Sequence, residues 1–164
     1  MEISSLSALI LAIPALPLSF YTVFSDLRGM RIPNKTVIAL AAAFILLGLL
    51  VMPLETYLWR LSHLAIMLAV GIFVHAAGLA GAGDAKYVAA AAPYVALGDI
   101  RFVLALFTAN VLAAYAAHRL AKHTALRRLA PEWESWTRTR DFPMGLALAG
   151  TLSMYLVLGI FFGS

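Results

Sequence analysis

Two aspartates stand in stretches of the chain that are otherwise mostly apolar: Asp26 in "FSDLRGMRIPNKTV" and Asp84 in "HAAGLAGAGDAKYVAAAA". An acid at the centre of a membrane helix costs about 2.5–3.5 kcal/mol on insertion scales, and less near an interface. Two carboxylates a few ångströms apart cannot readily both ionise, so one keeps a proton and the pair can serve as acid and base. The ionised member would take a proton from water while the other donates to a scissile carbonyl oxygen, as in an aspartic protease. That chemistry needs no thiolate, and the chain has no cysteine, which excludes disulfides, thiolate metal sites and a Cys nucleophile. No metal site and no cofactor are expected. Gly81 and Gly83 would let the backbone turn before Asp84 and let a substrate strand come close. If Asp84 opens a helix, its charge also faces the positive end of that helix dipole.

These residues have to be positioned by membrane helices. The 164 residues are 63% hydrophobic and only 12% charged, with a mean hydropathy of +0.91. A soluble domain is nearer half apolar and a quarter charged, so the expectation is an all-α polytopic membrane protein forming one domain over residues 1–164. Apolar runs fall at roughly 5–25, 36–52, 61–80, 85–98, 101–118 and 142–162, giving six transmembrane helices. The fourth is short and carries Pro93, which predicts a tilted, broken or partly buried segment, and Pro14 and Pro17 should bend the first. No Lys or Arg precedes the first apolar run, so it reads as a retained helix and not a cleaved signal.

The basic residues orient the helices. Arg28, Arg31 and Lys35 lie in the first loop, Lys86 in the third, and Arg119, Lys122, Arg127, Arg128, Arg138 and Arg140 in the fifth. Only Arg60 and Arg101 fall on the other side, so loops one, three and five are expected in the cytoplasm and both termini outside. In this arrangement a net charge of +4 speaks of topology and not of nucleic acid. The fifth loop mixes these bases with Leu120, Leu126, Leu129, Trp133 and Trp136, which fits either an interfacial segment on anionic lipid or a solvated basic loop.

Sorting the acids by side leaves few partners for Asp84. Glu2, Glu55 and Asp99 fall on the far side, and Glu132 and Glu134 belong to the polar fifth loop. Asp26 and Asp84 remain on one face at similar depth, with Asp141 a third acid read as an N-terminal charge on the last helix. Taken singly, either aspartate could be only a helix cap or half of an interfacial salt bridge, and Lys86 only a topology anchor. His75 is either a site residue or a hydrogen-bond partner for a neighbouring helix, Asn110 reads as interhelical glue, and Trp59 and His63 as interface anchors.

In combination, "DLRGMRIPN" and "GAGDAK" resemble the signatures D-x5-I-P-N and G-x-G-D-x-K of the bacterial prepilin peptidases, the type IV leader peptidases. Asp26, Ile32, Pro33 and Asn34 match the first, and Gly81, Gly83, Asp84 and Lys86 the second. "FPMGLALAG" over 142–150 is a looser match to the family's later Pro-aromatic-Gly region. The resemblance implies a membrane aspartyl endopeptidase with Asp26 and Asp84 as the catalytic pair. Its substrate would be the short, basic, cytoplasmic leader of a prepilin or pseudopilin, followed by a hydrophobic helix, cut at the cytoplasmic face of the bacterial inner membrane. Pro33 and Asn34 would shape the turn after Asp26, Asn34 also capping the second helix, while Lys86 would bias a pKa or position substrate. Longer members carry a four-Cys zinc motif and an N-methyltransferase activity; without cysteine, this chain resembles the short, peptidase-only form associated with Tad/Flp pili. The other classes open to two such acids are a proton-coupled transporter and a non-catalytic pilus-assembly factor. Transporters place acids nearer the midplane and show repeated halves, neither of which is evident.

Overall fold

The computed structural model describes residues 1–138 and 141–164. Its regular structure is six α-helices and four short 3-10 turns, and no strand forms among the described residues. The helices are α1 (Ser5–Gly29), α2 (Asn34–Val51), α3 (Leu54–Ala76), α4 (Ala82–Ala91), α5 (Ile100–Lys122) and α6 (Met144–Phe162). All but α4 are long and apolar enough to cross a membrane, which makes the chain an all-α, multi-pass membrane protein.

The helices run back and forth. Ser7 near the start of α1 donates to the carbonyl of Val51 at the end of α2 at 3.0 Å. The two termini meet, with Ser164 Oγ donating to the Met1 carbonyl at 2.9 Å. An even number of passes follows, and the turns after α1, α3 and α5 collect at the end away from the termini. Arg28, Arg31, Lys35, Lys86, Arg119, Lys122, Arg127, Arg128 and Arg138 lie at that end, whereas Arg140 falls outside the described residues.

The fourth pass is broken, as Pro93 suggested. Ten residues of α4 rise about 15 Å, whereas the 25 residues of α1 beside it rise about 37 Å. The turns Ala92–Tyr94 and Leu97–Asp99 complete the crossing. Irregular backbone at membrane depth survives only where protein satisfies its polar groups. Here the Tyr94 carbonyl accepts from Arg60 Nη1 (3.2 Å), the Ala96 amide donates to Tyr155 Oη (3.2 Å) and the Gly98 amide to Glu2 Oε2 (3.0 Å). Asp99 accepts from the amides of Glu2 and Ile3 and from Tyr155 Oη at 2.8 Å, fastening the end of this pass to the start of the chain.

Small residues let the backbones close. A Cβ on Gly159 would stand 2.9 Å from that of Ala8, so α6 rides directly on α1. Tyr87, Tyr94 and Tyr155 are buried with their hydroxyls bonded, Tyr87 to Ser19 (3.0 Å) and Tyr94 to the Leu40 carbonyl (2.8 Å). Asn110 donates to Thr151 Oγ1 at 3.1 Å, the interhelical bond expected of it. α1 continues through Pro14 and Pro17 without interruption. Short α4 also leaves an apolar cavity of about 600 Å³ among α3, α5 and α6.

The fifth loop divides. Trp133 and Trp136 stack on each other with ring centroids 5.6 Å apart, Trp136 lies on His118 at 5.0 Å, and Phe24 meets Trp133 edge-on at 6.0 Å. Both indoles therefore face the bundle, because flat rings find more contact there than in an exposed loop. Leu120, Leu126 and Leu129 stay exposed, the last two beside Arg127 and Arg128, an arrangement that both readings of the loop accommodate.

Candidate active site

Asp26 sits in the last turn of α1, only 5% exposed. The helix ends at Met30, whose left-handed backbone (φ 50°) returns its amide to the Asp26 carbonyl at 2.9 Å. The chain reverses at once, and Ile32 and Pro33 lead into α2. Asp84 is the third residue of α4, a helix that starts abruptly after Gly81.

The glycines around Asp84 have separate tasks. A Cβ on Gly81 would stand 2.8 Å from Asp84 Oδ2, so the bare backbone lets the carboxylate fold back over it. A Cβ on Gly83 would stand 3.3 Å from Ile32 Cβ, so this glycine seats α4 against the turn that follows Asp26. Beside that contact, Lys86 Nζ donates to Asn34 Oδ1 at 3.1 Å. The residues of the two sequence stretches thus meet pairwise, Ile32 with Gly83 and Asn34 with Lys86.

The two acids line one cavity of about 650 Å³, closed on its other side by Arg138, Asp141 and Met144 from the approach to α6. Asp26 is held by the amide of Gly145, which donates to Oδ2 at 2.7 Å. Burial pushes the Asp84 carboxyl above the ordinary carboxylate range, and a hydrogen bond from the Gly81 backbone opposes the shift only in part. The site therefore holds two carboxylates from different helices that face one cavity. Such a pair can exchange protons with a water and a carbonyl placed between them.

The sequence model of the type IV leader peptidase family matches residues 13–117, a stretch containing both aspartates and both flanking motifs. The chain belongs to the type IV leader peptidase family. Comparisons with curated proteins and with solved structures give no match.

Within this leader peptidase, several residues depart from their expected places. Pro33 precedes α2 as anticipated, but Asn34 is not its cap: its side-chain oxygen is taken by Lys86, a partner on another helix. His75 bonds neither substrate space nor a neighbouring helix; its Nδ1 lies 3.0 Å from the Ala80 carbonyl and secures the turn after α3. Asp141, read as an N-terminal charge on the last helix, lies outside the first turn of α6, which begins at Met144; it stands on the cavity wall, 3.8 Å from Arg138 Nη1. Arg138 in turn lies 3.9 Å from Glu134.

Gly145 is the site residue that sequence reasoning passed over. It lies beyond the stretch matched by the family model, and only the loose resemblance of "FPMG" hinted at it. A physical signal was nevertheless present: a glycine in the first turn of a helix has an amide with no partner inside that helix and no side chain to shield it.

Proposed function

We propose that this leader peptidase is an aspartyl endopeptidase that removes the short N-terminal leader of a prepilin or pseudopilin, with Asp26 and Asp84 as its acid/base pair. The observation that carries the reading is that these two carboxylates, from α1 and α4, line one cavity. In this mechanism one carboxylate takes a proton from the attacking water while the other protonates the carbonyl oxygen. The proton then passes to the leaving nitrogen as the C–N bond breaks. An aspartate pair performs these steps on its own, so the reading calls for no cofactor.

The proposed site of action is the cytoplasmic face of the bacterial inner membrane. In support, the cavity lies at the end where the Lys and Arg residues gather, the end that the positive-inside rule assigns to the cytoplasm. A substrate there would present its leader to the cavity while its hydrophobic helix stays in the bilayer. The form of the family associated with Tad/Flp pili agrees with this reading, as the 164 residues contain no cysteine.

Co-expression with a prepilin tests the reading. Asp26→Asn and Asp84→Asn should each accumulate in the membrane and leave the prepilin unprocessed. Normal processing by either variant would remove the two-aspartate mechanism.

A further inference from the structure

We propose that Lys86 and Asn34 form a latch that sets Asp84 at its working position relative to Asp26, which makes both of them positioning residues for peptide cleavage. The inference rests on the two-aspartate reading above and assigns these residues a task within it.

The need for a latch follows from how α4 is held. It is ten residues long, follows a turn in which Gly78 adopts a positive φ of 72°, and ends at the Pro93 break. Neither end continues into a long helix: Ala85 against Gly71 of α3 and Tyr87 bonded to Ser19 of α1 hold the inner side of α4, and its outer side meets α2 at the first turn. Ile32 against Gly83 gives that turn a seat, but an apolar contact with a glycine tolerates sliding. The Lys86–Asn34 bond, 3.1 Å long, is directional and joins the first residue of α2 to α4 two positions after Asp84.

Lys86 is poorly placed to act as a charge partner. Residues two apart on a helix point to different sides, so Lys86 faces α2 while Asp84 faces the cavity. Among the described residues Lys86 makes no ion pair with Asp26 or Asp84. Both Lys86 and Asn34 are exposed, so their bond is a fastening in water and not a buried network. A charge-assisted hydrogen bond at an exposed site is worth a factor of about two to five.

The test uses the full chain in proteoliposomes with a prepilin-type substrate retaining its hydrophobic helix. Lys86→Met and Asn34→Leu should each lower kcat by a factor of about two to five with KM little changed, and the double variant should lose no more than either single one. Lys86→Arg, which still reaches Asn34, should keep most of the activity, and the pH profile of Lys86→Met should keep its shape. A loss confined to KM, a shifted pH profile, additive losses or unchanged activity would each overturn the latch. If a single variant fails to accumulate, Lys86→Cys/Asn34→Cys serves instead, since the chain has no other cysteine. A short bis-methanethiosulfonate cross-linker should restore its cleavage, and failure to restore it counts against the latch. Asp84→Asn is run alongside: if it cleaves normally the aspartate reading fails, whereas an inactive Asp84→Asn beside a fully active Lys86→Met defeats the latch alone.

Discussion

Gly145 gives its amide to Asp26 across 119 positions of sequence, at 2.7 Å, in a space that admits no side chain. A Cβ on Gly145 would stand 2.8 Å from the accepting oxygen and 3.0 Å from the Asp26 Cβ. The start of α6 is thereby pressed onto the end of α1, and one carboxylate oxygen of Asp26 is fixed. The same contact closes the bundle at its basic end, so site geometry and helix packing share one bond.

Gly145→Ala should therefore damage both. The added methyl has to displace Asp26 or move α6, a strain of about 1–3 kcal/mol. Processing of a prepilin should fall by about a hundredfold, since a displacement of an ångström at reacting groups has that effect. Thermal melting in detergent together with a cleavage assay checks the two parts; a fully active Gly145→Ala protein would show that the amide does not orient Asp26.

The raised pKa of Asp84 gives a pH dependence of definite sign. The folded protein holds this proton more tightly than the unfolded chain, so the ionised carboxyl destabilises the fold. That penalty is absent below the ordinary carboxylate pKa and complete only once pH has risen through the raised value. Asp84→Asn should accordingly gain stability over the unsubstituted protein at neutral pH and lose that advantage near pH 4. Melting curves of both proteins across this range measure it.

The sequence pointed to the candidate residues more readily than to their contacts. Asp26 and Asp84 could be placed at one end because twelve basic residues divide so unevenly between the two sides. Pro93 announced the broken fourth pass. What stayed hidden are contacts in which a side chain has several local options. Asn34 next to Pro33 reads as a helix cap until Lys86, 52 positions away, claims its oxygen. Asp141 before an apolar run reads as a helix-terminal charge, yet the helix starts only at Met144, after Pro143, and Asp141 is left on the cavity wall. Gly81 and Gly83 share a motif but meet different neighbours, a distinction that spacing alone does not carry.

At the far end, Tyr155→Phe should leave Asp99 without one donor and the Ala96 amide without an acceptor. A buried group left unpaired costs about 1–3 kcal/mol. The melting temperature should drop while kcat per folded molecule stays close to its original value, because Tyr155 lies away from the cavity that holds the aspartates. A specific loss of kcat would show that the two ends of the broken pass are coupled.

Asn110→Leu provides a milder comparison. Its bond to Thr151 joins α5 to α6 inside the membrane, where such bonds contribute about 0.6 kcal/mol and rarely above 1.7. A small fall in melting temperature with unchanged cleavage is expected, and a loss as large as that of Tyr155→Phe would contradict this ranking.

The most direct measurement is cleavage of a purified prepilin by the purified full-length protein in the presence of a chelator, with the products identified by mass spectrometry. The unsubstituted protein should release a single N-terminal leader, while Asp26→Asn and Asp84→Asn, each correctly folded by melting, should release none. Cleavage by either aspartate variant at the original rate, or cleavage by the unsubstituted protein that the chelator abolishes, would contradict an acid/base pair formed by Asp26 and Asp84.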